Sequence, residues 1–442
     1  MYITEITLTD LKCFRGTHHL DLMHGDRNYA GWTVFAGRNG AGKSTLLKAL
    51  VLATADLARA ASLDPGYGRR WTRFGAAKSM CQIGLQSPAR WTGQLPLVAG
   101  QGANFLGMRI LNNPPAHAAA PTLPIEEEER LREAFSLGWP PPHGWFIAAY
   151  GPSRHLGARD AEQERFEGDP ALRRLASLFV ESASLAEGVE WLQKVHTRAL
   201  ERKEGAKQLK KDVLRLLHDD LLPDGWGVLG VDSDGLWLQR DNTTMLLNAM
   251  SDGHRIVTAL VLDMVRHLHD CYGDLRLEEG PSWRCPLPGV VLIDEVDAHM
   301  HVGWQQRIGF WLTEHFPRIQ FLVTTHSPFI CQAASPGGLI RLPAPGEDRT
   351  IERVPEHLAD AIRNGGADLA VMTELFGLEH AHSARAETLR QRVATLELRV
   401  LDEEATEAEL AEYDRLRNQL PDNMRELADR SVRALLARQD RA

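Results

Sequence analysis

A glycine-rich segment has the residue types and the spacing that bind phosphate. Residues 37–44 read Gly-Arg-Asn-Gly-Ala-Gly-Lys-Ser and fit the pattern Gly-x-x-x-x-Gly-Lys-Ser/Thr. Glycines let such a loop wrap an anion with successive backbone N–H groups, and the start of the following helix adds its positive dipole end. Lys43 would neutralise the β- and γ-phosphates of a nucleotide. The candidate nucleotide-binding residues are Gly37, Arg38, Asn39, Gly40, Ala41, Gly42, Lys43, Ser44 and Thr45.

Two adjacent carboxylates, Asp294 and Glu295, follow the apolar run at 290–293. A buried parallel strand has this composition, and ligands collect at the carboxyl ends of such strands. We expect Asp294 to hold Mg²⁺ through water, together with the Ser44 hydroxyl. Glu295 would orient or deprotonate the attacking water. The sequence therefore predicts Ser44 and Asp294 as metal ligands and Glu295 as a catalytic residue.

A histidine ends a further apolar run, in the sequence Thr-Thr-His-Ser-Pro at 324–328. A histidine at this place can donate a hydrogen bond to the γ-phosphate and sense whether it is present. We interpret His326 as the second catalytic residue. A purely structural histidine at a strand end is the alternative.

A fourth constellation, Ser251, Asp252, Gly253 and His254, precedes a stretch of helical pattern. Serine is a favourable N-cap residue, and the free N–H groups of a helix start form an anion site. This segment lies far along the chain from the phosphate loop, which is reasonable if it contacts the γ-phosphate bound by a second protomer. An ordinary capped helix is the alternative interpretation.

The apolar pattern indicates the elements that must position these residues. Strands are predicted at 2–9, 32–36, 290–293 and 319–324, with helices at 44–52, about 252–268 and about 301–315. A helical pattern at 170–220 is interrupted by Gly188 and Gly205, and a hairpin is predicted at 227–248. Strands alternating with helices indicate an α/β fold.

Taken together, these segments resemble the ATPase heads of the ABC superfamily, in its SMC, RecF and OLD branch. Residues 37–44 are similar to the Walker A motif of that branch, Ile293 to Glu295 to the end of its Walker B motif, and Met250 to Arg255 to its signature motif. The resemblance further implies a D-loop at 297–299 with Asp297, the switch role for His326, and a position near the nucleotide for Arg15. Residues 150–154 fall where the family has its Q-loop.

This sequence departs from the family pattern at three points. No glutamine is found at the Q-loop position, so the residue with that role is left open. Asp252 and His254 replace the commoner glycine and glutamine of the signature. The distance from Ser251 to Asp294 is also longer than usual.

The expected architecture is an ABC-ATPase head with a mixed sheet around the phosphate loop, a helical lobe and a C-terminal helical hairpin. Four regions are predicted: a first ATPase lobe with a loop-rich insertion at 1–160, a helical and hairpin insertion at 161–248, a second ATPase lobe at 249–345, and a C-terminal helical region at 346–442. The resemblance implies ATP and Mg²⁺ as cofactors, ATP hydrolysis as the activity, and a dimer or higher oligomer that encloses the nucleotides.

Two roles fit such a head. One is the sensor or regulatory ATPase of an antiphage defence system, similar to Septu- and retron-type ATPases, which controls a separate nuclease or toxin. The other is a RecF-like DNA-repair ATPase that acts as a DNA-binding scaffold. A transporter subunit is disfavoured because such subunits are shorter. The tail lacks a strand followed by an acidic pair, which argues against a nuclease within this chain.

The composition limits which binding partners and which cellular compartment can be expected. The net charge is −9 and the sequence pI is about 6.1, so contact with nucleic acid must be local. The five cysteines have no C-x-x-C spacing, which fits a reducing cytoplasm, and no apolar stretch is long enough to cross a membrane.

Two segments are candidates for surfaces that bind a partner. A basic stretch runs from Arg198 to Arg215, with Lys203, Lys207 and Lys210 expected on one helical face. It is either a solvated face or a contact for the nucleic-acid backbone. In the tail, a helical pattern at 389–400 and a capping box at Thr406 and Glu409 predict the hairpin. This hairpin either packs on its own head or binds an effector protein.

Overall fold

A computed structural model describes residues 1–55, 57–67, 70–86, 104–111, 146–154, 156, 166, 168–366, 375, 383–402 and 404–419. Most of the segment expected to be loop-rich, at 62–145, lies outside these residues, as does Leu420, which the sequence suggested for the C-terminal hairpin. The chain divides into two compact units, Met1–Phe376 and Gly377–Ala442.

The described residues form the following strands and helices. The strands are β1 Tyr2–Thr9, β2 Thr17–Asp21, β3 Gly31–Ala36, β4 Lys78–Gln86, β5 Asn104–Leu111, β6 Ile147–Tyr150, β7 Gly227–Val231, β8 Leu236–Arg240, β9 Thr243–Leu246, β10 Gly289–Ile293, β11 Ile319–Thr325, β12 Leu339–Arg341 and β13 Glu352–Arg353. The helices are α1 Lys43–Thr54, α2 Leu57–Leu63, α3 Pro170–Arg173, α4 Ala186–Leu200, α5 Ala206–His218, α6 Asp252–Tyr272, α7 Val302–Gln305, α8 Ile308–His315, α9 Pro328–Gln332, α10 Glu356–Asn364, α11 Ala384–Leu401 and α12 Glu407–Arg417.

The central sheet has the strand order β13-β12-β3-β11-β10-β6. All of its pairs are parallel except the pair of β12 with β13. In register, Ile293 of β10 lies opposite Val323 of β11, and Thr325 of β11 lies opposite Ala36 of β3. The phosphate loop, the two carboxylates and His326 all follow these strand ends. The sheet thus places three of the four predicted constellations at one edge.

Alternate side chains of the central strands enter two apolar cores. Val291 and Ile293 lie in the core that contains α6, and Val290 and Leu292 lie in the core that contains α1 and β1. This explains why β10 is apolar at every position, since both of its faces are buried. The second core also includes a sheet of order β2-β1-β4-β5. Strands β4 and β5 lie in the segment that the sequence indicated as loop-rich.

A helical layer with a three-stranded meander packs on the other side. The predicted hairpin at 227–248 is present and gains the third strand β9. Gly188 does not interrupt a helix: it lies within α4, and a Cβ there would come 2.9 Å from the backbone nitrogen of Asp263. It is therefore the small residue that lets α4 approach α6. Gly205, at φ 72°, does separate α4 from α5.

Because of the break at Gly205, the prediction of a single basic helical face is wrong. Lys203 lies in the turn before α5, whereas Lys207 and Lys210 lie on α5. The three lysines therefore do not share a single helix. The predicted helix at 301–315 is likewise two short helices, α7 and α8.

The described residues of the second unit form a helical hairpin, as predicted. Thr406 and Glu409 form the expected capping box of α12. Leu396, Tyr413 and Leu416 form a small buried cluster between α11 and α12. The fold prediction of a mixed α/β head with a C-terminal hairpin is confirmed. No helix of the described residues is long and apolar enough to cross a lipid bilayer.

Candidate functional site

The candidate phosphate loop joins β3 to α1 through glycines in the left-handed region. Gly40 has φ 79° and Gly42 has φ 90°. A Cβ on Gly42 would lie 2.4 Å from Cys13 Sγ and 2.7 Å from Phe14 Cζ. Both the backbone conformation and the lack of space exclude a side chain at position 42. The loop therefore packs closely against the turn after β1, which also carries Arg15, whose side chain is exposed.

The Lys43 side chain is folded into this loop. Its Nζ donates to the carbonyl oxygens of Gly37 at 2.8 Å and of Arg38 at 3.2 Å. Burial lowers the pKa of Lys43, and the charges of Glu295, Asp294 and Asp297 oppose that shift. The lysine of the loop and the carboxylates after β10 are therefore close enough to interact electrostatically.

The loop has the free donors that an anion requires. Within the described residues, the backbone N–H groups of Gly40, Gly42, Lys43 and Ser44 have no hydrogen-bond partner. Three of them lie at the N-terminus of α1 or directly before it, where a helix leaves such groups unsatisfied. This arrangement fits a bound phosphate chain.

Asp294 and Glu295 are held by a threonine of the neighbouring strand. The Thr324 hydroxyl donates to Asp294 Oδ1 at 2.5 Å and accepts from the Glu295 backbone N–H at 2.7 Å. Asp294 is only 1% exposed, and its Oδ2 has no hydrogen-bond partner among the described residues. A buried carboxylate with an oxygen free to accept suits a hard cation such as Mg²⁺, and Ser44 remains the predicted second ligand.

The predicted D-loop residue and the histidine are also connected. Asp297 Oδ1 accepts from the Thr325 hydroxyl at 2.5 Å and from the His326 backbone N–H at 3.3 Å. Partial burial and the charge of Lys43 lower the pKa of the His326 imidazole. The nearby carboxylates of Asp297, Glu295 and Asp294 oppose this shift. Thr324 and Thr325, which the sequence analysis gave no role, orient the acidic residues.

Arg154 is a further residue at this edge to which the sequence analysis gave no role. It is 2% exposed and donates to the backbone carbonyls of Asp294 and Glu295, each at 2.8 Å. Burial lowers its pKa to about 10, so it stays charged at neutral pH. The only signal in the sequence was its place shortly after a strand, at the expected Q-loop.

The fourth constellation lies at the start of α6, with Ser251 as the N-cap residue. The Ser251 hydroxyl pairs with His254 Nδ1 at 2.8 Å and does not cap the helix backbone. A Cβ on Gly253 would lie 3.4 Å from the carbonyl oxygen of His299. Ser251 and Asp252 are exposed, and no described hydrogen bond or ion pair links residues 251–254 to the phosphate loop.

Two family models match this chain at the two halves of the site. A model described as "AAA domain, putative AbiEii toxin, Type IV TA system" matches residues 197–332. A model described as "AAA domain" matches residues 5–83. The first range holds residues 251–254, the two carboxylates and His326, and the second holds the phosphate loop.

Individual proteins are similar over parts of the chain. "Retron Ec83 probable ATPase" of Escherichia coli is 38% identical over 98 residues, which are 22% of this chain and 17% of that protein. "Septu protein PtuA" of Bacillus mycoides is 23% identical over 330 residues, which are 74% of this chain and 38% of that protein. This chain thus spans less than half the length of these relatives.

Among solved structures, an SMC head bound to the C-winged helix domain of ScpA has a TM-score of 0.44 and 15% identity, over 80% of this chain and 98% of that one.

The family matches, the named relatives and the geometry of the sheet edge agree on one coarse statement. Residues 5–83 and 197–332 of this chain are similar to AAA domains, and parts of the chain are similar to a retron probable ATPase and to a Septu protein.

Proposed function

We propose that this chain binds ATP with Mg²⁺, hydrolyses it as a nucleotide-switched dimer, and regulates a separate effector of an antiphage defence system. The observation that carries the proposal is the convergence, at one sheet edge, of Lys43, Asp294, Glu295 and His326. The relation to retron and Septu ATPases supports the defence role.

Each residue has a defined task in the proposed hydrolysis. Lys43 and the free N–H groups of the loop balance the charge of the triphosphate. Ser44 and Asp294 would hold Mg²⁺, which would supply positive charge to the β- and γ-phosphates. Glu295 orients or deprotonates the attacking water, and His326 donates a hydrogen bond to the γ-phosphate.

The separation of the two half-sites supports the proposed dimer. The exposed start of α6 has no described bond to the chain's own phosphate loop, yet it presents the N-terminus of a helix of 21 residues. A helix start of this kind binds an anion. In the proposed dimer, Ser251 and Gly253 of one protomer contact the γ-phosphate held by the other.

Replacing Ser251 with arginine tests the dimer directly. The bulky cation should block the close approach of the second phosphate loop, so that turnover falls on the order of 10²-fold, as for loss of a transition-state contact. Light scattering with a non-hydrolysable ATP analogue should show a doubled mass for the wild type and not for S251R. Ser233→Arg, at an exposed serine of the β7–β8 turn, is the matched control and should behave as the wild type. Equal mass and turnover in both variants would contradict the shared site.

The C-terminal hairpin is the proposed docking surface for the effector, a nuclease or toxin. Among the described residues of this unit, Leu398, Leu401 and Leu410 are exposed, beyond the small buried cluster. If the nucleotide state controls the effector, the effector must bind one nucleotide state of the head more tightly than the others, typically by about 1–3 kcal/mol. Equal affinity of the effector for the apo, ATP-bound and ADP-bound protein would exclude it.

A second candidate function, a DNA-binding scaffold, is favoured by the charge of the α4–α5 pair. We call five of its exposed cations the basic hairpin: Arg198, Arg202, Lys203, Lys207 and Lys211. Within the part of the chain that the structure describes, none of the five has an ion-pair partner. The chain as a whole carries −9, so this local concentration of positive charge is the surface that fits a phosphate backbone.

Reversing three of these charges should weaken DNA binding in a salt-dependent way. For the variant Lys203→Glu/Lys207→Glu/Lys211→Glu, the slope of log affinity against log salt should become shallower by about 0.9 for each DNA phosphate that the protein no longer neutralises. Fluorescence anisotropy with a labelled duplex at several salt concentrations measures this slope. The charge-matched control Arg27→Glu/Lys78→Glu/Arg240→Glu, on other exposed positions, should leave it unchanged. Identical slopes in the two variants would remove the basic hairpin as a DNA contact.

A further inference from the structure

Arg154 is bonded almost entirely to backbone carbonyls of one short turn. Its Nη1 donates to Asp294 O at 2.8 Å and its Nη2 to Glu295 O at 2.8 Å and Val296 O at 3.4 Å. Nη1 also donates to Gly151 O at 2.9 Å, at the start of its own loop. One guanidinium thus joins the loop at 151–154 to three successive carbonyls after β10. We call residues 294–296 the catalytic turn.

The catalytic turn contains a residue in a disfavoured conformation. Glu295 has φ 44°, in the left-handed region that residues other than glycine avoid. Such a conformation persists only where the surroundings hold it, and it fixes the direction in which the side chain leaves the backbone. Arg154 binds the carbonyl of this residue and the carbonyls on both sides of it, so it holds the conformation in place.

The loop that carries Arg154 is itself anchored to the long helix α6. The hydroxyl of Tyr150, the last residue of β6, donates to Asp263 Oδ2 at 3.2 Å. Asp263 in turn accepts from Arg266 at 2.8 Å, within the same helix. Directly after Tyr150, a Cβ on Gly151 would lie 2.2 Å from the carbonyl oxygen of Ser177, so the backbone of the loop packs closely against residue 177.

The same loop meets the start of α6. A cavity of about 250 Å³ is lined by Ser153, Arg154, Asp252, Arg255 and His299, among others. Asp252, which is next to the proposed γ-phosphate contact, therefore lines the same cavity as Arg154, which holds the catalytic turn. Tyr150 and the wall of this cavity are thus two contacts through which a displacement of α6 would reach the turn.

We propose that Arg154 is a positioning residue for Glu295, and that the loop at 151–154 couples the placement of α6 to the catalytic turn. The proposal rests on the proposed ATP hydrolysis. The sequence has no glutamine at the Q-loop position. We infer that Arg154, through its bonds to backbone carbonyls, links the two half-sites instead. Arg154 acts through the backbone of the turn and does not touch the nucleotide in this account.

Arg154→Lys keeps the charge but loses the planar fork that reaches several carbonyls at once. We expect kcat to fall roughly ten- to a hundredfold, since a small misplacement of a reacting group has effects of this size. The dissociation constant for ATP should stay within about twofold, because Lys43 and the loop N–H groups are untouched. Tyr150→Phe retains the buried ring and should lower kcat roughly two- to tenfold, in line with one hydrogen bond.

A double-mutant cycle separates positioning from general stability. If Arg154 acts through Glu295, then adding Arg154→Lys to Glu295→Gln should lower the residual turnover by less than about twofold. Arg353→Lys is the matched control, because Arg353 also donates to three carbonyls, those of Gly337, Asp21 and Met23, away from the catalytic turn. It should lower the unfolding temperature without changing kcat.

The outcomes are distinguishable. Absence of ATP turnover in the wild type would overturn the proposed function itself. Wild-type turnover together with an unchanged kcat in both Arg154→Lys and Tyr150→Phe would overturn only this inference. A parallel loss of ATP binding, or an equal fall of kcat with and without Glu295→Gln, would also overturn it, since both results indicate a structural role alone.

Discussion

Replacing Lys43 with alanine is expected to abolish ATP binding and reduce turnover on the order of 10³-fold, the upper range for removing one electrostatic contact to the transition state. Lys43 is the cation of the candidate phosphate loop, and its charge interacts with Glu295, Asp294 and Asp297. Without it, the triphosphate would meet these carboxylates without the balancing charge of the lysine.

The fold should survive this substitution. Among the described residues, the hydrogen-bond partners of the Lys43 side chain are carbonyls of its own loop, those of Gly37 and Arg38. The far-ultraviolet circular dichroism spectrum should therefore match that of the wild type, while isothermal titration shows no heat of ATP binding.

Lys48→Ala is the matched control for the loss of one positive charge. Lys48 lies on the same helix and its ammonium is 5.7 Å from the centre of the Phe179 ring, outside the phosphate loop. This variant should bind ATP normally. Normal ATP binding by Lys43→Ala as well would disprove the assignment of the phosphate loop.

Local pattern was enough to predict the sheet edge. The apolar run at 290–293 and the Thr-Thr-His sequence at 324–326 each mark the end of a buried strand, and the structure brings both ends beside the phosphate loop. Such strands are recognisable because both faces are buried and the chain turns polar where the strand ends. The capping box of Thr406 and Glu409 was equally local, since it needs only a spacing of three residues.

Contacts between distant segments could not be predicted in this way. Arg154 and the carbonyl oxygen of Asp294 are 140 positions apart, and nothing in the arginine's neighbours in sequence specifies a carbonyl partner. Gly188 was misread because a glycine within a helix looks like an interruption until the close packing against α6 is known. The bonds from Thr324 and Thr325 to the acidic residues depend on strand register, which sequence alone does not give.

The remaining expectation concerns the chemical step. Glu295→Gln retains the size of the side chain and its hydrogen-bonding capacity but removes the base. Turnover should fall by roughly 10²–10⁴-fold, the usual contribution of a positioned general base. ATP affinity should remain near that of the wild type, because Lys43 and the N–H groups of the loop are unchanged.

A variant that binds ATP without hydrolysing it should also accumulate the closed dimer. Light scattering in ATP and Mg²⁺ is expected to show a doubled mass that persists for Glu295→Gln and decays for the wild type as ATP is consumed. Glu279→Gln, at an exposed glutamate away from the site, is the control and should decay like the wild type. Glu295 also lies at φ 44°, so its direction depends on the turn that holds it. If turnover in Glu295→Gln remained within a few-fold of the wild type, the base would have to be another residue. If turnover fell but the mass did not rise, hydrolysis would take place within one protomer, and the exposed start of α6 would need a different ligand.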